Sequence, residues 1–141
     1  MKGDILIVDD NLNNLQLLGN LLTENSYKVR MANSGRRALG AIKAGLPELI
    51  MLDITMPEMD GYEVCQQLKA DPTTSPIPII FISALDDVFD KVKAFKVGGV
   101  DYITKPFQIE EVLARIENQL TISRLRKELE KQNIQLAKEK E

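Results

Sequence analysis

The sequence predicts an α/β protein built on a parallel sheet with helices on both faces, and three observations lead there. Short runs of branched apolar residues alternate with longer segments in which apolar residues recur every three or four positions; this succession builds βαβ units. Residues 5–8 (ILIV) and 49–52 (LIML) are apolar throughout instead of alternating, as expected of strands covered on both sides. Finally, each buried run stops at a polar or charged residue: Asp9 and Asp10, Asp53, Ser83 and Lys105.

The elements follow in order. Residues 5–8 form the first strand, and Leu12, Leu15, Leu18 and Leu22 then mark one face of an amphipathic helix. Residues 27–32 (YKVRMA) read as a less buried strand. Ser34-Gly35 opens a second helix that Gly45 and Pro47 stop. The strand at 49–52 ends at Asp53, the loop 54–60 follows, and a third helix covers 61–70. Residues 71–78 (DPTTSPIP) are rich in turn formers. A fourth strand at 78–82 ends at Ser83, a fourth helix spans 86–97 before Gly98-Gly99, and a fifth strand spans 100–104. From Gln108 the pattern is helical to the last residue.

Composition narrows the function. The chain has 141 residues, 44% hydrophobic and 28% charged, with net charge −3, an ordinary balance for one globular domain. The acidic balance argues against direct nucleic-acid binding. No apolar run approaches the roughly 18 residues that span a bilayer. A single cysteine, Cys65, excludes an internal disulfide and fits a reducing, cytoplasmic setting. There is no histidine, which removes imidazole general-base catalysis and histidine metal ligation. The chemistry is left to carboxylates, hydroxyls and lysine.

Right-handed crossovers place all strand C-termini along one edge of the sheet, and ligands of open α/β sheets bind outside that edge. Asp9, Asp10, Asp53, Ser83 and Lys105 therefore converge. Taken singly each has a plainer reading: an acid or Ser83 can cap a helix, Lys105 can be solvated, Tyr102 can be core and Thr55 can be loop. Together they describe something else. Two like charges about 4 Å apart repel by roughly 4 kcal/mol at an effective dielectric near 20. Either one acid holds a proton or a cation sits among them. An all-oxygen set suits Mg²⁺, while Lys105 and Ser83 suit phosphoryl oxygens. Asp53, alone at the end of a central strand, is the plausible nucleophile.

The pieces LIVDDN, MLDITMPEMDG, FISA and DYITKPF, in this order at the strand ends, resemble the receiver domains of two-component response regulators. The resemblance covers residues 2 to about 120. It implies flavodoxin-like strand order 2-1-3-4-5 and a cis Lys105-Pro106 bond. It matches Asp53 with the phosphoacceptor, Asp10 with the direct Mg²⁺ ligand and Asp9 with the acid acting through water. Thr55 matches the residue whose carbonyl completes the metal site. Ser83 and Lys105 match the groups that grip the phosphoryl, and Tyr102 the aromatic that turns inward. Pro57 and Gly61 match the loop after the phosphoacceptor. The implied partner is a sensor histidine kinase or phosphotransfer protein. One departure is Val100, where the family often has an acid.

The expected organisation is a receiver at 1–120 and a helical extension at 121–141. In the extension, Ile122, Leu125, Leu129, Gln132 and Leu136 recur at spacings of 3, 4, 3 and 4. This is the seam of a short coiled coil, leading to a homodimer and to an output domain beyond a charged helix without a C-cap signal. Three function classes stay open at this stage. They are a phosphoacceptor switch that catalyses only its own phosphorylation and dephosphorylation, a phosphate-independent interaction module, and an aspartyl-nucleophile phosphatase.

Overall fold

The structure is a computed structural model and describes residues 2–84 and 91–140. Five strands, β1 (Asp4–Val8), β2 (Lys28–Ala32), β3 (Leu49–Asp53), β4 (Ile79–Ser83) and β5 (Asp101–Thr104), alternate with α1 (Leu12–Glu24), α2 (Gly35–Ala44), α3 (Gly61–Ala70), α4 (Lys91–Lys96) and α5 (Ile109–Glu139). The sheet is parallel throughout, in the order β2-β1-β3-β4-β5. The fourth helix was expected to start at Asp86; residues 86–90 lie outside the described residues.

Burial explains the strand sequences. Every residue of β3 and β4 is buried, because these central strands carry apolar side chains to both helical layers. Leu6, Val8, Ile50, Leu52, Ile79 and Phe81 pack toward α2 and α3, whereas Ile5, Ile7, Leu49, Met51, Ile80 and Ile82 pack toward α1 and α5. The edge strand β2 differs. It begins at Lys28, one residue later than its pattern suggests, and its exposure does not strictly alternate. Tyr27 is buried in the preceding turn, after Ser26 with φ 71°.

Helix starts are set by short polar side chains that accept from backbone N–H groups of the first turn. Asn11 accepts from Asn14, Ser34 from Arg37 and Asp60 from Glu63. Helix α5 is one continuous helix of 31 residues, about 46 Å long at 1.5 Å per residue. Its first half buries Val112, Ile116, Gln119 and Leu120, and Arg124 donates to the Lys2 carbonyl at 2.7 Å and to Glu48 at 3.0 Å. Past that clamp the apolar residues Leu125, Leu129, Ile134 and Leu136 are exposed.

Candidate functional site

Two acids, Asp9 and Asp10, directly follow β1. Neither caps α1; the cap is the Asn11 side chain. The Asn11 backbone N–H instead donates to Asp9 Oδ1 at 2.9 Å, and Asp9 N–H donates to the Ala32 carbonyl at 3.1 Å. Asp9 is thereby turned inward and buried, while Asp10 faces solvent. Asp53 closes β3 at 3% exposure, and Ile54 N–H, bonded to the Ile82 carbonyl at 3.1 Å, keeps the strand end paired with β4. Carboxylate oxygens of Asp9, Asp10 and Asp53 all lie within 4.8 Å of one another.

Lys105 supplies the opposing charge. Its Nζ lies 3.1 Å from Asp9 Oδ2 and 3.8 Å from Asp53 Oδ1. The lysine is placed by its own N–H, which donates to the Ser83 carbonyl at 2.8 Å, and it precedes a cis peptide bond to Pro106. Ser83 is buried at the end of β4, in register with Thr104. Since Asp53 pairs with Ile82, Ser83 stands one residue further along the neighbouring strand. Adjacent strands run about 4.8 Å apart.

One cation does not balance three acids. Burial, and next the charge of Asp9, push the Asp53 carboxyl up to about 8, against the opposing pull of Lys105. Asp9 Oδ2 is buried without a hydrogen bond despite the nearby ammonium. An unsatisfied buried carboxylate oxygen next to two further acids fits a hard cation. An oxygen-only donor set with an exposed side matches Mg²⁺, which keeps several waters. Asp9, Asp10 and Asp53 could hold it.

The loop after Asp53 is held by a close approach. A Cβ on Gly61 would lie 2.3 Å from the Asp53 carbonyl oxygen, and Gly61 N–H donates to the Ile54 carbonyl at 2.8 Å. The turn places Thr55 at the surface and Met56 in the core. Tyr102 pairs with Phe81 across β4 and β5 and packs, half-buried, against the α3 side of the sheet. Lys91 Nζ lies 5.0 Å and the Arg115 guanidinium 5.8 Å from its ring centroid, within cation–π range. The structure thus gathers Asp9, Asp10, Asp53 and Lys105 together, while Ser83 ends the neighbouring strand β4, Thr55 lies exposed in the loop after Asp53 and Tyr102 sits on β5. Asn11, as the residue orienting Asp9, was not singled out by sequence reasoning; its signal was a capping residue directly after two acids.

Residues 5–117 match the response regulator receiver domain family. The response regulator PleD of Caulobacter vibrioides is 42% identical over 118 residues, covering 84% of this chain and 26% of PleD. RpaA of Synechocystis, described as a DNA-binding transcriptional regulator, is 40% identical over 79% of this chain and 46% of its own length. Among solved structures, NtrX from Brucella abortus superposes with a TM-score of 0.86 at 29% identity, over 93% of this chain and 29% of NtrX. The signal receiver domain of a histidine kinase from Syntrophus aciditrophicus gives 0.78 at 35% identity, over 84% of this chain and 90% of that domain. The fold is that of a receiver domain. The chain belongs to the response regulator receiver domain family, and it spans about a quarter to a half of the length of the curated relatives it matches.

Proposed function

We propose that this chain is a phosphoacceptor switch that takes a phosphoryl group onto Asp53 from a histidine of a sensor kinase or phosphotransfer protein. The observation that carries the reading is the meeting of three carboxylates with Lys105 in one pocket. That set repels itself unless one acid holds a proton or a cation sits among them, and the cation together with Lys105 would then attract a phosphoryl group. With no histidine in the chain, the donor imidazole belongs to the partner.

In the reaction an Asp53 carboxylate oxygen attacks phosphorus, the bond to the donor nitrogen breaks, and an acyl phosphate forms. Asp10, Asp53 and the Thr55 carbonyl, with Asp9 acting through water, would hold a Mg²⁺ ion, which would neutralise charge on the phosphoryl oxygens. Lys105 moves its ion pairing from the acids to the phosphoryl group, and Ser83 donates a hydrogen bond to it. Tyr102 then turns toward the space that Ser83 leaves. A charge-assisted hydrogen bond is worth about 1.5–3 kcal/mol, enough to shift a two-state equilibrium tenfold or more.

The chain acts on itself and turns over no outside substrate. It works in the cytoplasm and binds no nucleic acid directly. Among the described residues no helix is long and apolar enough to cross a membrane. The α5 extension beyond residue 120 is a dimerisation stalk, supported by the exposure of its seam residues Leu125, Leu129 and Leu136. Through the stalk the switch would act on an output domain. Incubation with acetyl phosphate or a phosphorylated kinase tests the core of this reading. Label should enter only with Mg²⁺ and vanish in Asp53→Asn; equal labelling of that variant overturns it.

A further inference from the structure

We propose that the cleft between the α3–β4 connection and the root of the α5 extension binds a phosphate-sized oxyanion. The cleft has a volume of about 70 Å³ and is lined by Lys69, Ser75, Val100, Gln119, Ser123 and Arg126, among others. One water needs about 10–15 Å³ of such space, so the cleft has room for several waters or one tetrahedral anion. It lies before the start of β4, at the end of the sheet away from the acid pocket.

Four side chains with donor groups line it without a protein partner among the described residues. Gln119 is 8% exposed, and its side-chain amide makes no hydrogen bond among the described residues. A largely buried side chain whose amide bonds to no protein group leaves that amide to water or a ligand. The hydroxyls of Ser75 and Ser123 are also without partners among the described residues, and so is the Arg126 guanidinium. Lys69 is already in place. Its ammonium donates to the Ser75 and Ile77 carbonyls, both at 2.7 Å, which leaves its third proton for a ligand. Its stem runs beneath Gly98, where a Cβ would lie 2.6 Å from Lys69 Cγ.

Charge points the same way. Neither Lys69 nor Arg126 has a carboxylate within ion-pair distance among the described residues; Glu130, one turn past Arg126, lines the neighbouring cleft without pairing to it. Burial and, further, the charge of Arg126 hold the Lys69 ammonium below its ordinary pKa. An anion between the two would relieve both. The neighbouring cleft, about 390 Å³, shares Pro76, Ser123 and Arg126 and adds Lys127, Leu129 and Asn133. A phosphoryl group carried on a larger organic molecule could therefore extend into it. Either ligand would tie the α3–β4 connection to the stalk root.

The test is an NMR titration of the full 141-residue chain with inorganic phosphate. It is run in EDTA, so that the acid pocket stays without metal, and beside sodium chloride at matched ionic strength. The Gln119 side-chain amide and the Ser75 and Ser123 backbone amides should shift and saturate at millimolar phosphate. Arg126→Gln, a surface change that leaves the core intact, should weaken the response about tenfold or more through loss of a charged hydrogen bond. Gln119→Leu should weaken it as well. A parallel titration with glycerol 3-phosphate identifies the source. Tighter binding than phosphate assigns a phosphomonoester, and equal binding assigns the free ion. A response that follows ionic strength alone, or one that is unchanged in Arg126→Gln, overturns the proposal.

Discussion

Replacing Asp53 by asparagine should stabilise the metal-free protein, although it removes a group paired with Lys105. Carboxylate oxygens of Asp9, Asp10 and Asp53 lie within 4.8 Å, and two unit charges at that distance repel by about 3.5 kcal/mol at an effective dielectric of 20. The contact with Lys105, at 3.8 Å to Asp53 and 3.1 Å to Asp9, offsets part of this. Burial adds to the cost of the Asp53 charge. A net gain on the order of 5 kcal/mol is expected once the carboxyl is ionised in the native protein, as a rise from 3.8 to about 8 requires. The sign follows from the shift. The folded carboxyl titrates near 8 and its ordinary value is 3.8. Between these values the unfolded chain has lost the proton that the native state keeps, so wild-type stability falls as pH rises. The advantage of Asp53→Asn should be small at pH 4, open across the interval, and be complete above pH 8. Urea unfolding in EDTA at a series of pH values measures it. A variant less stable than wild type at pH 8.5, or a difference independent of pH, refutes the reasoning. Saturating Mg²⁺ should stabilise wild type more than the variant, because only the former offers a third carboxylate.

Gly61→Ala should cost about 1–3 kcal/mol, as overpacking does, since its methyl would meet the Asp53 carbonyl; thermal unfolding reads the loss, and Mg²⁺ affinity should fall with it. Ser83→Ala should leave phosphorylation of Asp53 possible while removing the accompanying change around Tyr102. Full chemical-shift changes on the α4 and β5 face of that variant would show that the coupling runs elsewhere. Leu129→Asp should abolish concentration-dependent dimers in sedimentation, and a wild-type chain that stays monomeric at high concentration, phosphorylated or not, counts against the stalk.

What the sequence made legible follows from how strongly local chemistry constrains each part. The central strands could be read because β3 and β4 are buried on both faces, so nearly every position had to be apolar. Their terminal residues stood out against that background, and parallel topology brought Asp9, Asp10, Asp53 and Lys105 together. Strand ends were less legible, and each of the five strands, buried or at the edge, begins or ends one residue from its reading. The cis bond at Lys105-Pro106 had no local signature and came only through family resemblance. Contacts between distant segments were invisible. Arg124 and Glu48 are 76 residues apart, and nothing in either neighbourhood announces the clamp. Gln119 sits among apolar helix positions, and its burial against the α3–β4 connection is known only from packing. The family resemblance places Gly61 in the loop after Asp53, whereas its necessity lies in the backbone at the end of β3 passing against it. Ile134, exposed on α5, lies off the 122–136 seam and was not picked out.

The most direct measurement is the location of the phosphoryl group. After phosphorylation in Mg²⁺, borohydride reduces an aspartyl phosphate to homoserine, and peptide mass mapping locates the converted residue. The account predicts conversion at Asp53 alone, lost when Mg²⁺ is chelated. Conversion at Asp9 or Asp10, or a stable phosphate on a hydroxyl side chain instead, would contradict it.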